Sequence, residues 1–141
     1  MIVSRYLTDI ASASTASDIQ LGSCATEIGA GAFSGFTNIS EVELPENLTT
    51  IGYSAFTNSS LTKVTIPSGV TSIGKDAFKF GTRDRRYTVV MDGTTPPTLG
   101  TSAFGNINNL TIYVPDASVD AYKTATNWSN YFNKIKPLSE K

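Results

Sequence analysis

The chain has 141 residues, enough for one domain with a buried core, and combines 40% hydrophobic with only 16% charged residues at a formal net charge of −1. That balance gives the chain as a whole no electrostatic reason to seek nucleic acid or an anionic membrane. There is no histidine, which removes the usual general base and the commonest metal ligand, and the single cysteine, Cys24, rules out an internal disulfide or a cysteine metal cluster.

Residues 1–17 fit no repeat. The opening stretch Met1–Leu7 lacks the apolar run of a signal peptide, and no run anywhere approaches the roughly 18 residues of a membrane-spanning helix. Tyr6, Leu7 and Ile10 are spaced for a helix, so a short capping helix near residues 4–13 is one expectation. A linker, or an attachment segment through which the chain forms oligomers, is the other.

From residue 18 a pattern recurs. Short alternating segments predict strands at Ile19-Gln20-Leu21, Val42-Glu43-Leu44, Val64-Thr65-Ile66, Val89-Val90-Met91 and Ile112-Tyr113-Val114. Pro45, Pro67 and Pro115 end three of them. An aliphatic-glycine pair follows at Ile28-Gly29, Ile51-Gly52, Ile73-Gly74 and Leu99-Gly100, and four residues after each aliphatic comes Ala-Phe, at Ala32-Phe33, Ala55-Phe56, Ala77-Phe78 and Ala103-Phe104. Each unit reads as a strand, a turn, a glycine-containing bend and a helical or 3-10 turn. No unit can bury its apolar residues alone, so the units must stack, Ile on Ile and Phe on Phe, with strands about 4.8 Å apart. The glycine is expected to supply an unusual φ, and the alanine to let neighbouring coils approach. Cys24 reads as a small buried hydrophobe.

These residues resemble the BspA-like leucine-rich-repeat family, whose pattern is similar to Leu61-Thr62-Lys63-Val64-Thr65-Ile66-Pro67 through Val70-Thr71-Ser72-Ile73-Gly74-Lys75-Asp76-Ala77-Phe78 and, slightly altered, to Ile39 through Phe56. The expected fold is therefore a mostly β leucine-rich-repeat solenoid over residues 18–115, with about five parallel strands. The departures are an insertion at Phe80–Tyr87, Pro96-Pro97 in the following coil, and a first coil that lacks the strand-ending proline and sets Cys24 and Ala25 where Asn47 and Leu48 stand later. The resemblance implies a bacterial surface or secreted protein that binds a protein or glycan, while the missing histidine and the lack of a catalytic motif argue against an enzyme and no cofactor is expected. A structural or attachment subunit, such as a phage or cell-envelope accessory protein in a virion or the cytoplasm, is the alternative.

Residues 116–141 are expected to close the solenoid. Asp116 is placed to N-cap a helix from about Ala117, and Trp128, Tyr131, Phe132 and Ile135 form an aromatic lid. A carbohydrate-binding platform at Trp128 and Tyr131 is the functional alternative. By strand alternation the outward residues are Asp18, Gln20, Glu41, Glu43, Lys63, Thr65, Thr88, Val90, Thr111 and Tyr113. A partner patch is expected at Glu41, Glu43, Lys63, Thr65 and Tyr113, on a flat sheet without a pocket. Lys75, Lys79, Arg83, Arg85 and Arg86, interleaved with Phe80 and Tyr87, form a basic cluster that reads first as a solvated loop bulging from the third coil and otherwise as a site for an acidic protein, a sulfated glycan or nucleic-acid phosphate. No carboxylate pair lies in a setting suited to catalysis, and neither nucleic-acid binding nor membrane insertion is expected.

Overall fold

The computed structural model describes residues 18–20, 24–37, 41–80 and 84–141. The expected helix near residues 4–13, the attachment role of residues 1–17, and Arg83 lie outside the described residues.

The alternating segments form β1 (Asp18–Gln20), β3 (Glu41–Glu43), β5 (Lys63–Ile66), β7 (Tyr87–Met91) and β9 (Leu110–Val114), each opening a coil. They pair in parallel, and β10 (Ile135–Pro137) joins the far edge to make a six-stranded sheet. The register sets Val64 beside Val89, Val89 beside Ile112, and Ile112 beside Ile135, so one aliphatic column runs through four strands. After β3 and β5 the proline carbonyl accepts the N–H three residues on, Leu48 to Pro45 at 3.0 Å and Val70 to Pro67 at 3.2 Å, which turns the chain off the sheet.

The aliphatic-glycine pairs are more than bends. Their aliphatic residues end a second, four-stranded parallel sheet of β2 (Glu27–Ile28), β4 (Thr50–Ile51), β6 (Ser72–Ile73) and β8 (Thr98–Leu99), with Ile28, Ile51, Ile73 and Leu99 in register. The glycine that follows serves crowding and not conformation. A Cβ on Gly52 would lie 2.7 Å from the Ala30 nitrogen, one on Gly74 would lie 2.6 Å from the Tyr53 nitrogen, and one on Gly100 would lie 2.2 Å from the Lys75 nitrogen. Positive φ falls instead on the residue just before each alanine: Gly31 (68°), Ser54 (54°), Asp76 (56°) and Ser102 (55°). The first coil fills that left-handed position with the residue that adopts it freely, and the later coils do not.

The Ala-Phe segments are runs of turns rather than regular helix. In the second coil Ala55, Thr57 and Ser59 donate to Gly52, Ser54 and Phe56, each at 3.2 Å. Adjacent arcs are joined directly, Phe33 N–H to Ala55 O at 2.6 Å, Phe56 to Ala77 at 2.7 Å and Phe78 to Ala103 at 2.6 Å. Ala55, Ala77 and Ala103 are fully buried, which is why nothing larger stands there. Phe33 stacks on Phe56 at 4.8 Å and 10°, Phe56 on Phe78 at 5.0 Å and 6°, and Phe78 on Phe104 at 5.9 Å and 18°. These centroid separations at nearly parallel planes lie in the range that aromatic pairs favour, and the backbone spacing of parallel strands sets nearly the same interval. The wider last step follows the insertion at Phe80–Tyr87.

The last coil is closed by side chains that replace the backbone of a missing neighbour. Between inner coils Gly52, Gly74 and Gly100 donate to the carbonyls of Ile28, Ile51 and Ile73, each at 2.8 Å. The next carbonyl in that series, Leu99 O, accepts instead from Asn127 Nδ2 at 2.6 Å. Thr49, Thr71 and Thr98 donate to Thr26, Thr49 and Thr71 in turn, and the next carbonyl, Pro97 O, takes Trp128 Nε1 at 2.8 Å. The arc series ends at Phe104 N–H, which donates to Tyr131 Oη at 3.2 Å while that hydroxyl donates to Gly105 O at 3.1 Å. Tyr122 Oη does the same for Gly93 O at 2.7 Å. Burying backbone groups demands such partners.

The cap itself is a 3-10 turn at Asp116–Ser118, helix α1 (Val119–Thr124) and a 3-10 segment at Trp128–Lys134. The expected N-cap does not form: Asp116 lies inside the first turn, and its carboxylate accepts the Ser139 N–H at 3.0 Å. That bond holds its pKa below the ordinary aspartate value.

Candidate functional site

The outward residues of the six-stranded sheet lie in two rows. Register runs from Glu41 to Lys63, Thr88 and Thr111 in one row, and from Thr65 to Val90, Tyr113 and Lys136 in the other. Glu41, Glu43, Lys63 and Thr65 are exposed, and Thr88, Thr111 and Tyr113 are half-buried. Val90 departs from expectation. Though it faces outward and stands apart from the core cluster, it is buried at 5% exposure, in register between Thr65 and Tyr113.

The face is also not flat. A groove of about 390 Å³ runs over β3 and β5 to Asp92, the residue after β7, with Glu41, Glu43, Glu46, Lys63, Thr65 and Asp92 in its lining. The structure thus brings together four of the residues singled out in the sequence. Tyr113 lies outside the groove, on the neighbouring strand. Glu46 and Asp92 were missed because alternation stops at the strand end. The available signal was a carboxylate directly after the terminal residue of a strand or its proline.

Arg85 and Arg86 are exposed but do not share the groove. They precede β7, at the edge where strands begin, whereas Glu46 and Asp92 follow β3 and β7 at the edge where strands end. Lys75 and Lys79 are exposed on the Ala-Phe arc. The two aromatics of the basic stretch are not available to a ligand. Phe80 and Tyr87 are buried at 6% and 3% exposure and stacked at 4.2 Å, and the Tyr87 N–H donates to Asn109 O at 2.9 Å. They clamp the stem of the insertion and leave Arg85 and Arg86 outside.

Two further expectations are corrected. Trp128 and Tyr131 cannot be a carbohydrate platform, since their rings are 0% and 8% exposed and pack on Phe104 at 5.8 and 5.4 Å. Of that aromatic group only Phe132 is open, at 53%, with Lys123 Nζ 4.6 Å from its ring centre. Cys24 is exposed, because it takes the outward turn position held by Asn47 one coil later, while Ala25 takes the buried position of Leu48.

In-register parallel strands, a stacked phenylalanine column and an open sheet face define a leucine-rich-repeat solenoid. A model of the BspA type leucine rich repeat region matches residues 11–133 in six copies, and the chain belongs to that family. Such repeats are typically non-catalytic and commonly bind proteins. No curated protein matches the chain. Among the described residues no helix is long and apolar enough to cross a membrane.

Proposed function

We propose that this protein is a non-catalytic recognition module, displayed at a cell surface or secreted, that holds a protein or glycan partner against the outward face of its six-stranded sheet. The observation that supports this reading is the set Glu41, Glu43, Lys63 and Thr65, exposed side by side across a groove on the outward face of the six-stranded sheet. Core packing asks nothing of these positions beyond strand-forming ability, so their side chains are free to be chosen for a partner.

The test is binding of the purified chain to immobilised matrix proteins and glycans, compared with Thr65→Arg, a change in the middle of the face that leaves the core untouched. Binding that falls at least tenfold in this variant, with its circular dichroism unchanged, supports the reading. Binding that survives Thr65→Arg, or a chain that binds none of these surfaces, overturns it.

A further inference from the structure

Resting on the reading of the sheet face as the docking surface, we infer that its occupant is an extended, lysine- or arginine-bearing polypeptide segment laid across the strands along their C-terminal ends. The sheet is polarised along the strand direction. Glu43, Glu46 and Asp92 stand on the half where β3 and β7 end, and Lys63, Arg85 and Arg86 stand on the half where β5 and β7 begin; Glu41, which opens β3, is the exception on that half and stands in register with Lys63. The groove reaches the acidic edge at Glu46 and Asp92 and holds four carboxylates, Glu41, Glu43, Glu46 and Asp92, against one lysine, Lys63.

Size decides against a second globular copy. Six strands at about 4.8 Å spacing, three to five residues long at about 3.3 Å each, give a face of roughly 300 Å², well short of the about 800 Å² per partner of a stable interface. The groove reaches from β3 across β5 to Asp92 at the end of β7, two strand spacings or about 10 Å, which is the reach of about three residues of extended chain. A single metal ion fits no better, because among the described residues no three carboxylates come close enough to share one. Negative charges spread along a rim match cations spaced along a chain. The arginines of the opposite edge repel the same segment and so fix which side it occupies.

The probes are fluorescent eight-residue peptides, one alternating lysine with threonine and one alternating glutamate with threonine, followed by anisotropy against the full chain. The lysine peptide binds, and its affinity falls as ionic strength rises from about 0.01 to 0.15 M and the Debye length shrinks from about 30 to 8 Å. An exposed ion pair is worth a factor of a few, so the triple variant Glu43→Gln, Glu46→Gln, Asp92→Asn weakens binding about tenfold. The double variant Arg85→Gln, Arg86→Gln leaves it unchanged or tightens it. The inference is overturned by equal or better binding of the glutamate peptide, by indifference to the triple variant, by no binding of the lysine peptide at 1 mM, or by concentration-dependent dimers that the triple variant abolishes. If the lysine peptide fails while Thr65→Arg still weakens binding to an immobilised partner, the sheet face remains the docking surface and only its occupant is wrong.

Discussion

Replacing Tyr131 with phenylalanine removes one oxygen atom and leaves two backbone groups of the last coil without partners. The lost hydroxyl accepts from Phe104 N–H at 3.2 Å and donates to Gly105 O at 3.1 Å, in a site where Tyr131 is 8% exposed and Phe104 and Gly105 are buried. An unsatisfied buried donor or acceptor costs about 1–3 kcal/mol, so the variant should lose about 2–6 kcal/mol. For a chain of this length that corresponds to a melting point lower by roughly 6–18 °C. Urea titration should show the loss as a lower midpoint at an unchanged slope, and the Phe104 amide should become one of the faster-exchanging core amides. Tyr122→Phe is the internal comparison, since it strands only Gly93 O and should cost about half as much. A loss below about 0.5 kcal/mol for Tyr131→Phe, or no difference in rank between the two variants, would refute the idea that the cap stands in for a missing coil.

Other consequences can be checked with the same denaturation assays. Gly74→Ala should cost 3 kcal/mol or more, or prevent folding, because its Cβ meets Tyr53 backbone at 2.6 Å, whereas Gly31→Ala, with nothing within 4 Å, should lose only about 1–2 kcal/mol through its positive φ. Ser54→Gly and Ser102→Gly relieve left-handed strain and should raise stability by about 0.5–1 kcal/mol each; an unchanged midpoint in both would count against that strain. Phe56→Ala, in the middle of the stacked column, should cost about 3–5 kcal/mol. Burial, aided by the charge of Asp92, pushes the Tyr122 phenol up to about 12, from 10.0. The unfolded chain therefore loses that proton first, so stability holds below pH 10 and falls as pH rises from 10 to 12. Tyr122→Phe should flatten that part of the alkaline titration.

The coil period, the strands and the phenylalanine column were legible in the sequence because each rests on a repeated side-chain choice. What escaped lay in relations between coils. The second sheet has strands of only two residues, too short for alternation to register, and it exists because Ile51 finds Ile28 and Ile73 beside it. Gly74 looked like a conformational device when read along the chain; only the neighbouring Tyr53 backbone reveals it as a matter of space. The cap was recognisable as aromatic, but which carbonyl Trp128 would satisfy depends on where Pro97 falls in the stack. On the sheet face, alternation found Glu41, Glu43, Lys63 and Thr65, and could not find Glu46 and Asp92, which follow the strands and reach the groove from its rim.

The ladder of Gly52, Gly74 and Gly100 amides on the carbonyls of Ile28, Ile51 and Ile73 repeats without change at 2.8 Å, and the closing contacts from Asn127, Trp128 and Tyr131 engage the final coil. Length is therefore a free variable: duplicating an inner unit in the gene would splice one more identical step into the middle, add about 4.8 Å to the stack, and leave the terminal plug seated as before. Recognition reach in such a protein can grow by whole increments without redesign of its end.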